Sequence, residues 1–527
     1  STIPLRSVTR IEIVRGGDYS APGLAGSVNF LTDDGGGDRR IAASGERGNN
    51  GFESYSFRTG GFGPAGLNLT LEADNSFYRG DFSFIDPRDS IQTRQNNFYR
   101  TSKMFGTINY NRKRGVLKFS GRYFRRNAGV PGPIFQLTPE ANSNIEEKEI
   151  YTRFSQGFGF YSELDLTAGV TNRRANYDSP RTPINFIPYK TVFDDHSRDI
   201  KIRFQRTGRI DLDSYLGIRY ESLDGNDLIR PAASFGFRSR LVNALGIAAS
   251  YRFNGSGIFT KSSAITFGLR KEGGDHGDFW APSVTSRINL DLPARPGFDF
   301  SYSRARRLPN LTDLYWKEDV FATPNADLQP EESRSYQIGF DLQNDFFGLV
   351  DLRVSRYLTD FDNLIIWRRW AGDKFKPVNL SRAEINGWDV SLEANLFDGP
   401  VSLHWVAAFT RPLNKESELS HHDKFLTFRP IGTQNAGIEF DFENLKLRLA
   451  RRHIGRRYTT EENTKSLPPV DLVDFEINYG LKLRSIETAL RIDITNIGDI
   501  QYEILDRQPQ RPREYKLKLE IRKIGGF

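Results

Sequence analysis

Apolar and polar residues alternate one by one in segment after segment of this 527-residue chain. The alternation is clear at 67–74, 200–205, 445–449 and 490–495, where every second residue is Leu, Ile, Phe or Ala. Because successive side chains of a β-strand point to opposite faces, this period of two predicts half-buried strands and an all-β fold. A soluble sandwich shows the same alternation, so the pattern alone does not indicate a membrane.

The lengths of the connections favour a barrel. Short turns are predicted at 63–64, 112–115, 254–257, 398–400 and 443–444. They alternate with longer polar stretches at 79–96, 128–145, 177–190, 224–240, 306–331, 369–384, 412–424, 459–469 and 501–512. Short turns at one end and long loops at the other are expected of an outer-membrane barrel.

The predicted strands number about 22, an even number as single-chain bacterial barrels require. The strand near 262–272 is the eleventh when strands are counted from either end of the chain. The sequence has no run of about 18 apolar residues, which excludes a helical membrane span. The negative mean hydropathy is no argument against a barrel, because its lipid-facing and lumen-facing residues average out.

Composition points to the cell envelope. The chain has no cysteine, which fits an oxidising compartment, and its N-terminus lacks the apolar core of a signal peptide. If the protein is exported, its targeting segment has already been removed. The net charge of +7 is spread along the chain, which favours a cationic lumen and Arg-rich surfaces facing anionic lipid over nucleic-acid binding.

The C-terminal strand is the clearest of all. Residues 515–522 alternate strictly, and the chain ends at Phe527. Apolar alternation that closes on a terminal Phe resembles the signal read by the outer-membrane assembly machinery.

Three further stretches carry a family resemblance. Residues 3–15 read IPLRSVTRIEIVR. After a Gly-rich turn, residues 26–32 read GSVNFLT. Residues 306–315 read RRLPNLTDLY, 325–331 read NADLQPE, and 495–502 read TNIGDIQY. In this order they resemble the end of the plug domain and two barrel signatures of TonB-dependent receptors.

The resemblance implies two domains, the C-terminal end of a plug at 1–34 and an outer-membrane barrel at 35–527. The plug positions that match the family are Glu12, Arg15, Gly16, Gly26 and Asn29. We expect them to pack the plug in the lumen, with Glu12 and Arg15 paired to charges on the barrel wall.

The resemblance also implies a function. Such a receptor would import a scarce chelate, siderophore-iron or cobalamin-like, with energy from TonB, which grips a segment absent from this chain. In family members, most of the plug precedes the position that matches residue 1 of this sequence. Either the protein has that part upstream of this sequence, or it is a plug-poor relative. The alternative function is therefore a pore or scaffold subunit that serves an envelope complex. A soluble β-rich enzyme is a third and more distant possibility.

Candidate ligand contacts lie in the predicted external loops. They are Arg306, Arg307, Trp316, Arg368, Trp370, His421 and His422. Arg306, Arg307, Arg368 and Arg369 can attract an anionic siderophore or corrinoid, although the phosphates of lipopolysaccharide would require the same chemistry. Trp316, Trp367, Trp370 and Tyr357 are typical of an aromatic girdle at the membrane interface, with ligand stacking on Trp316 or Trp370 as the secondary interpretation.

Other motifs favour structural interpretations. The fingerprint GxGxxG at 61–66 precedes a strand instead of a helix, so it predicts a hairpin turn. The histidines at 421–422 lack a spaced third ligand, and Asp360 and Asp362 lack the distal Glu of a calcium loop. We therefore predict no metal site, no cofactor and no enzymatic activity.

Overall fold

The structure is a computed structural model. It describes residues 8–15, 24, 26–32, 39–64, 66–134, 137–180, 188–253, 258–260, 262–316, 322–344, 349–370, 374–397, 399–417 and 420–525. Gly16, the side chain of Arg15 and the predicted turn at 254–257 lie outside this described part.

The described elements are almost all strands. The helices are α1 (Leu311–Tyr315) and two 3-10 turns (Asn49–Gly51 and Pro231–Ala233). The strands are β1 (Val8–Arg15), β2 (Gly26–Thr32), β3 (Arg40–Gly48), β4 (Phe52–Phe62), β5 (Leu67–Tyr78), β6 (Phe82–Ile85), β7 (Ile91–Arg94), β8 (Tyr99–Arg112), β9 (Gly115–Gly129), β10 (Asn142–Phe158), β11 (Ser162–Ser179), β12 (Tyr189–Arg206), β13 (Ile210–Asp227), β14 (Gly236–Arg252), β15 (Ala264–Gly274), β16 (Phe279–Asn289), β17 (Gly297–Arg307), β18 (Glu331–Asn344), β19 (Leu349–Arg369), β20 (Phe375–Leu396), β21 (Val401–Asn414), β22 (Gly432–Phe442), β23 (Leu445–Ile454), β24 (Arg457–Tyr458), β25 (Ser466–Leu467), β26 (Val470–Leu483), β27 (Ile486–Thr495) and β28 (Glu514–Ile524).

A closed antiparallel barrel contains 22 of these strands. They are β3–β5, β8–β23 and β26–β28, in chain order around the ring. The last strand pairs with the first, from Lys516 opposite Gly48 to Ile524 opposite Arg40. The predicted strand number is confirmed, and β15 is the eleventh barrel strand, as predicted.

The two ends of the barrel differ in their connections. At the end where β3 begins, strands join through turns such as 113–114, 443–444 and 484–485. At the opposite end, here named the loop end, connections are as long as 308–330 and 496–513. The hairpin turn predicted within 61–66 is confirmed, since 63–66 joins β4 to β5.

The loop predicted at 369–384 is wrong. β19 and β20 remain paired as far as Arg369 opposite Phe375, so only 370–374 connects them. Asn363 has a φ of 58° and interrupts the ladder without changing its register. The polar stretch belongs to strands that extend past the apolar band, where alternation no longer distinguishes a strand from a loop.

Alternation along the strands divides their side chains between the outer face and the lumen. On β14, Leu241, Leu245 and Ile247 are about half exposed, whereas Ala248 is 3% exposed. The same outward apolar pattern recurs on the other barrel strands. Because the exposed apolar surface is continuous around the barrel, it fits contact with lipid and not with water.

The strands β1 and β2 form a separate hairpin, from Val8 opposite Thr32 to Arg15 opposite Gly26. Its tip residue Leu24 is buried in an apolar cluster with Ala305, Phe361, Leu364, Leu380, Ala383 and Leu426. The Leu24 carbonyl accepts a hydrogen bond from Ser333 Oγ at 2.7 Å. The tip of the hairpin therefore docks on the barrel wall near the loop end.

The charged residues of the hairpin contact each other. Glu12 pairs with Arg10 and accepts a hydrogen bond from Asn29 Nδ2 at 3.3 Å. Its described partners thus lie within the hairpin, and pairing of Glu12 and Arg15 with the wall stays a prediction.

The signature at 495–502 is a turn that leads to the closing strand. Asn496 has a φ of 54° and is 4% exposed. Its side chain exchanges two hydrogen bonds of 2.9 Å with the backbone of Ile500. Asp474 Oδ1 accepts the Asn496 N–H, and Asp499 Oδ1 accepts the Arg513 N–H, both at 2.8 Å. The shape of this turn explains why the signature contains Asn and Asp.

Candidate ligand-binding site

Loop 308–330 packs against the wall at the loop end. Leu314 of α1 and Leu328 are 6% and 2% exposed. Asn325 Nδ2 donates a hydrogen bond to the Pro377 carbonyl at 3.0 Å, and the Gln329 N–H donates to Asn379 Oδ1 at 2.9 Å. The hydrogen bonds of Asn325 and Gln329 fix the C-terminal end of the loop, and Leu314 packs the helix near its start.

Arg307, whose side chain is 49% exposed, pairs with a buried carboxylate. Glu331 is 0% exposed, pairs with Arg307 and accepts the N–H of Ile365 at 2.8 Å. Burial lowers the pKa of Arg429, and the negative charge of Glu331 opposes that shift. The last residue of the 325–331 signature therefore serves as the counter-charge for this part of the wall.

Arg306 is held differently. Its guanidinium donates to the carbonyls of His276 at 2.7 Å and Gly277 at 3.2 Å, and lies 5.5 Å from the centre of the Phe279 ring. It makes no ion pair with a described carboxylate, so its positive charge is not neutralised there.

Arg306 and Arg307 line a cavity of about 360 Å³ on the inner wall. We call it the basic cavity. Its cations are Lys201, Arg219, Arg240, Arg270, Arg306 and Arg307, and its carboxylates are Asp199, Glu221 and Glu272. Six cations face three carboxylates, and Glu331, outside the lining, neutralises Arg307, so an excess of two positive charges remains.

Ion pairs inside the basic cavity order part of this charge. Arg240 lies 2.6 Å from Glu221 and also donates to the Pro309 carbonyl at 2.6 Å, which ties β14 to loop 308–330. Arg270 pairs with Glu272 on its own strand. Arg219 is only loosely held, at 3.9 Å from Glu221, and its side chain is 52% exposed.

Two guanidinium N–H groups of the basic cavity have no acceptor. Arg270 is 6% exposed, and its Nε is buried without a hydrogen-bond partner in the described part of the chain. The Nε of Arg306 is likewise buried without a hydrogen-bond partner among the described residues. Buried donors in native proteins are almost always satisfied, so both atoms would gain from an acceptor. Because neither atom is accessible here, a ligand oxygen would reach them only after a small movement of the side chain.

Loop groups beside the basic cavity respond to its charge and burial. Burial lowers the pKa of His276, and the charges of Arg306 and Arg240 lower it further. Burial raises the pKa of Asp313 on α1, against a hydrogen bond from Asn310. The neutral form of His276 is therefore favoured next to the arginines.

Two of the aromatic residues predicted for the membrane-interface girdle, Trp316 and Tyr357, do not lie on the outer face of the barrel. Trp316 stacks on Phe193, with ring centres 4.7 Å apart, and Phe193 is 6% exposed. Tyr357 lies between the inward-facing Ser355 and Thr359, and its hydroxyl is 3.0 Å from Thr410 Oγ1. The girdle interpretation is wrong for Trp316 and Tyr357, because loop packing and the lumen face hold them. Trp367 and Trp370 are 41% and 51% exposed.

Three of the remaining predicted contacts, Arg368, His421 and His422, form a second cluster between loops 415–431 and 455–469, whereas the Trp370 ring lies 4.8 Å from Lys376 Nζ. Arg368 lies 3.3 Å from Glu416 and 2.9 Å from Glu461. His421 Nε2 is 3.3 Å from Glu462, and His422 Nδ1 lies 2.8 Å from the Glu416 carbonyl. No group of three His, Asp or Glu in the described part of the chain is arranged to hold a metal ion. A ligand role for these residues stays a prediction.

Sequence reasoning missed Arg219, Arg240 and Arg270. They lie on β13, β14 and β15, on the lumen side of each strand. The available signal was a charged residue on the polar face of each alternating segment. Their proximity depends on register, which places Glu221 opposite Arg240 and Ala244 opposite Glu272.

No helix among the described residues is long and apolar enough to span a membrane. A family profile described as "TonB dependent receptor-like, beta-barrel" matches residues 14–497. The vitamin B12 transporter BtuB of Vibrio vulnificus (strain CMCP6) is 25% identical over 231 residues. That match covers 42% of this chain and only 33% of the relative, so the chain matches about a third of the relative's length.

Solved structures share the fold over the whole chain. The siderophore receptor PirA from Pseudomonas aeruginosa superposes with a TM-score of 0.69 at 14% identity, covering 99% of this chain and 87% of PirA. The copper transporter OprC gives a TM-score of 0.78 at 12% identity, with 99% and 86% covered. Barrels of this family reside in the bacterial outer membrane, which agrees with the apolar outer face. The closed 22-strand barrel and the profile match together show that this chain belongs to the TonB-dependent receptors.

Proposed function

We propose that the protein is a receptor that imports a scarce, anionic metal chelate across the outer membrane and binds it at the basic cavity. The observation that carries this proposal is the excess of two positive charges in the basic cavity once Glu331 is paired with Arg307, together with the unpartnered Nε atoms of Arg270 and Arg306. Guanidinium groups bind carboxylates and similar oxyanions through strong charge-assisted hydrogen bonds.

The charge also bears on the class of chelate. Siderophore-iron chelates with several carboxylate or catecholate groups carry more negative charge than a cobalamin, whose side chains are mostly amides. Excess positive charge in a partly enclosed site favours the more anionic ligand. A siderophore-iron chelate is therefore preferred over a cobalamin-like one.

The hairpin β1–β2 fits the role of the last part of a plug, at residues 1–34. Arg307 lines the basic cavity and pairs with Glu331, and Ser333 holds the hairpin tip two residues further along β18. This short physical route would let ligand binding at Arg307 alter the contact with Leu24. Inward movement would then be powered by TonB acting on a segment upstream of this chain.

Uptake by whole cells tests this proposal. Cells that express the full-length protein as their sole receptor would be given radiolabelled ferric citrate or ferric enterobactin, with TonB present or deleted. We expect accumulation that requires TonB. Equal accumulation without TonB would overturn the importer. Steady ion conductance of the full-length protein in a planar bilayer would instead favour the pore or scaffold alternative.

A further inference from the structure

Five adjacent strands, β8–β12, share a pattern on their outer faces. On each strand an exposed apolar residue marks the lipid-facing side. These residues are Met104, Phe119, Ile150, Val170 and Ile200. Toward the loop end, the first charged residue on the same side of each strand is a cation. We call these five cations, Arg100, Arg125, Lys148, Arg174 and Arg198, the basic belt.

The basic belt is only partly neutralised. Lys148 lies 2.7 Å from Glu146, and Arg174 lies 3.7 Å from Asp194. Arg100, Arg125 and Arg198 make no ion pair with any described residue. The register brings the belt together, since Glu146 lies opposite both Arg125 and Arg174.

Another side of the barrel shows that this charge is not a general property of the rim. On β18–β20, Arg334 lies 3.0 Å from Asp362, and Arg382 lies 4.0 Å from Asp360. Glu332 lies opposite Asp362 on the same side of the sheet. Carboxylates there match or outnumber the cations, whereas on β8–β12 the cations are in excess.

We propose that the basic belt binds the headgroup phosphates of lipopolysaccharide in the outer leaflet. The apolar band below the belt contacts acyl chains, so the belt meets the membrane where headgroups lie. Strands are about 4.8 Å apart, so five of them spread the charges over about 20 Å, enough for a headgroup with more than one phosphate. Arginine is suited to phosphate because its fork donates two parallel hydrogen bonds.

The test measures binding of diphosphoryl lipid A in detergent micelles to the purified full-length protein. The belt variant combines Arg125→Gln, Lys148→Gln and Arg174→Gln. The matched control combines Arg334→Gln and Arg382→Gln. Since each cation near an anionic lipid surface contributes measurably, we expect the belt variant to bind at least about tenfold more weakly, with the control close to wild type.

Three further comparisons distinguish the outcomes. Monophosphoryl lipid A should bind wild type more weakly than the diphosphoryl form does. The belt substitutions should also reduce its affinity by a smaller factor. Inorganic phosphate in excess should compete poorly if the lipid is the true ligand; displacement at equal concentration would overturn the assignment to lipid. Equal lipid A binding by belt variant, control and wild type, all with the same melting temperature, would also overturn the proposal.

Discussion

Two walls of the same barrel use arginine in opposite ways. The wall formed by β17–β20, here the anchoring wall, pairs the half-exposed Arg307 with the buried Glu331 and packs Leu24 among Phe361, Leu364 and Leu380. The wall formed by β12–β15, here the basic wall, lines most of an open cavity with cations in excess, and Arg306 and Arg307 at the end of β17 complete its lining. Closed ion pairs and apolar packing stabilise one geometry, whereas open charge has a favourable partner only when an anion arrives. The comparison supports the proposal that the anchoring wall serves structure and the basic wall serves binding.

The largest effect is expected from Glu331→Ala on the anchoring wall. It would leave the Ile365 N–H without its acceptor and remove the counter-charge of Arg307, which is half exposed, and of Arg429 nearby. At about 1–3 kcal/mol for each lost partner, with the contribution of Arg307 discounted for its exposure, the cost is about 3–5 kcal/mol. The free energy of unfolding in detergent, from guanidinium titrations, measures it. Glu332→Gln is the matched control, because its carboxylate is 30% exposed and pairs with Arg304 at the surface, where loss costs about 0–1 kcal/mol. Similar losses in both variants would break the distinction between the walls.

Leu380→Ala tests the apolar part of the same wall. Leu380 is 0% exposed and belongs to the cluster around the hairpin tip, so the truncation should cost about 2–5 kcal/mol. Limited proteolysis should then cut faster near Leu24. Leu245→Ala, at a 54% exposed outward position, is the control and should leave the cutting rate unchanged. Unchanged protection in Leu380→Ala would mean that this cluster does not anchor the hairpin.

Arg219→Gln examines the basic wall without disturbing a strong ion pair. Its side chain is 52% exposed in the cavity and lies 3.9 Å from Glu221. A lost charge-assisted hydrogen bond weakens binding by about tenfold, so affinity for an anionic chelate should fall while the melting temperature stays constant. Isothermal titration with ferric citrate or ferric enterobactin gives the affinity. Arg334→Gln should bind as wild type does, and an equal loss there would indicate a general charge effect.

The smallest expected effect is a dependence of the folded protein's stability on pH, caused by the titration of His276. Its pKa is lowered in the folded protein, so the unfolded chain binds this proton more readily. Stability should be full above the ordinary histidine pKa of 6.5 and fall as the pH drops toward the folded value. His276→Gln should flatten this part of the profile in thermal melts from about pH 8 to about pH 5. A wild-type profile that is already flat there would contradict it.

The barrel was predictable because its determinants repeat. Alternation at 67–74 or 490–495 specifies a strand and its lipid side at once, and β15 could be numbered from both ends. The extension of β19 and β20 was not predictable, because apolar and polar residues are mixed on both faces of 375–384, without the alternation seen in the apolar band. In that stretch the sequence pattern of a strand cannot be distinguished from that of a loop.

The candidate site was predictable only where a motif marks it. Arg306 and Arg307 begin a signature, whereas Arg219 and Arg270 are single charges on separate strands. Their convergence is set by strand register around the ring, which no local pattern encodes. Trp316 shows the converse, since its sequence position at a loop junction gives no sign of the stack with Phe193.

The most direct test of the account is equilibrium binding of differently charged iron chelates to the purified full-length protein. Ferric citrate and ferric enterobactin are anionic, and ferrioxamine B is cationic with the same metal. The account predicts that at least one anionic chelate binds at least about tenfold more tightly than ferrioxamine B, with an affinity that falls as salt rises. Equal or tighter binding of ferrioxamine B, independent of salt, would contradict a ligand site built on the basic cavity.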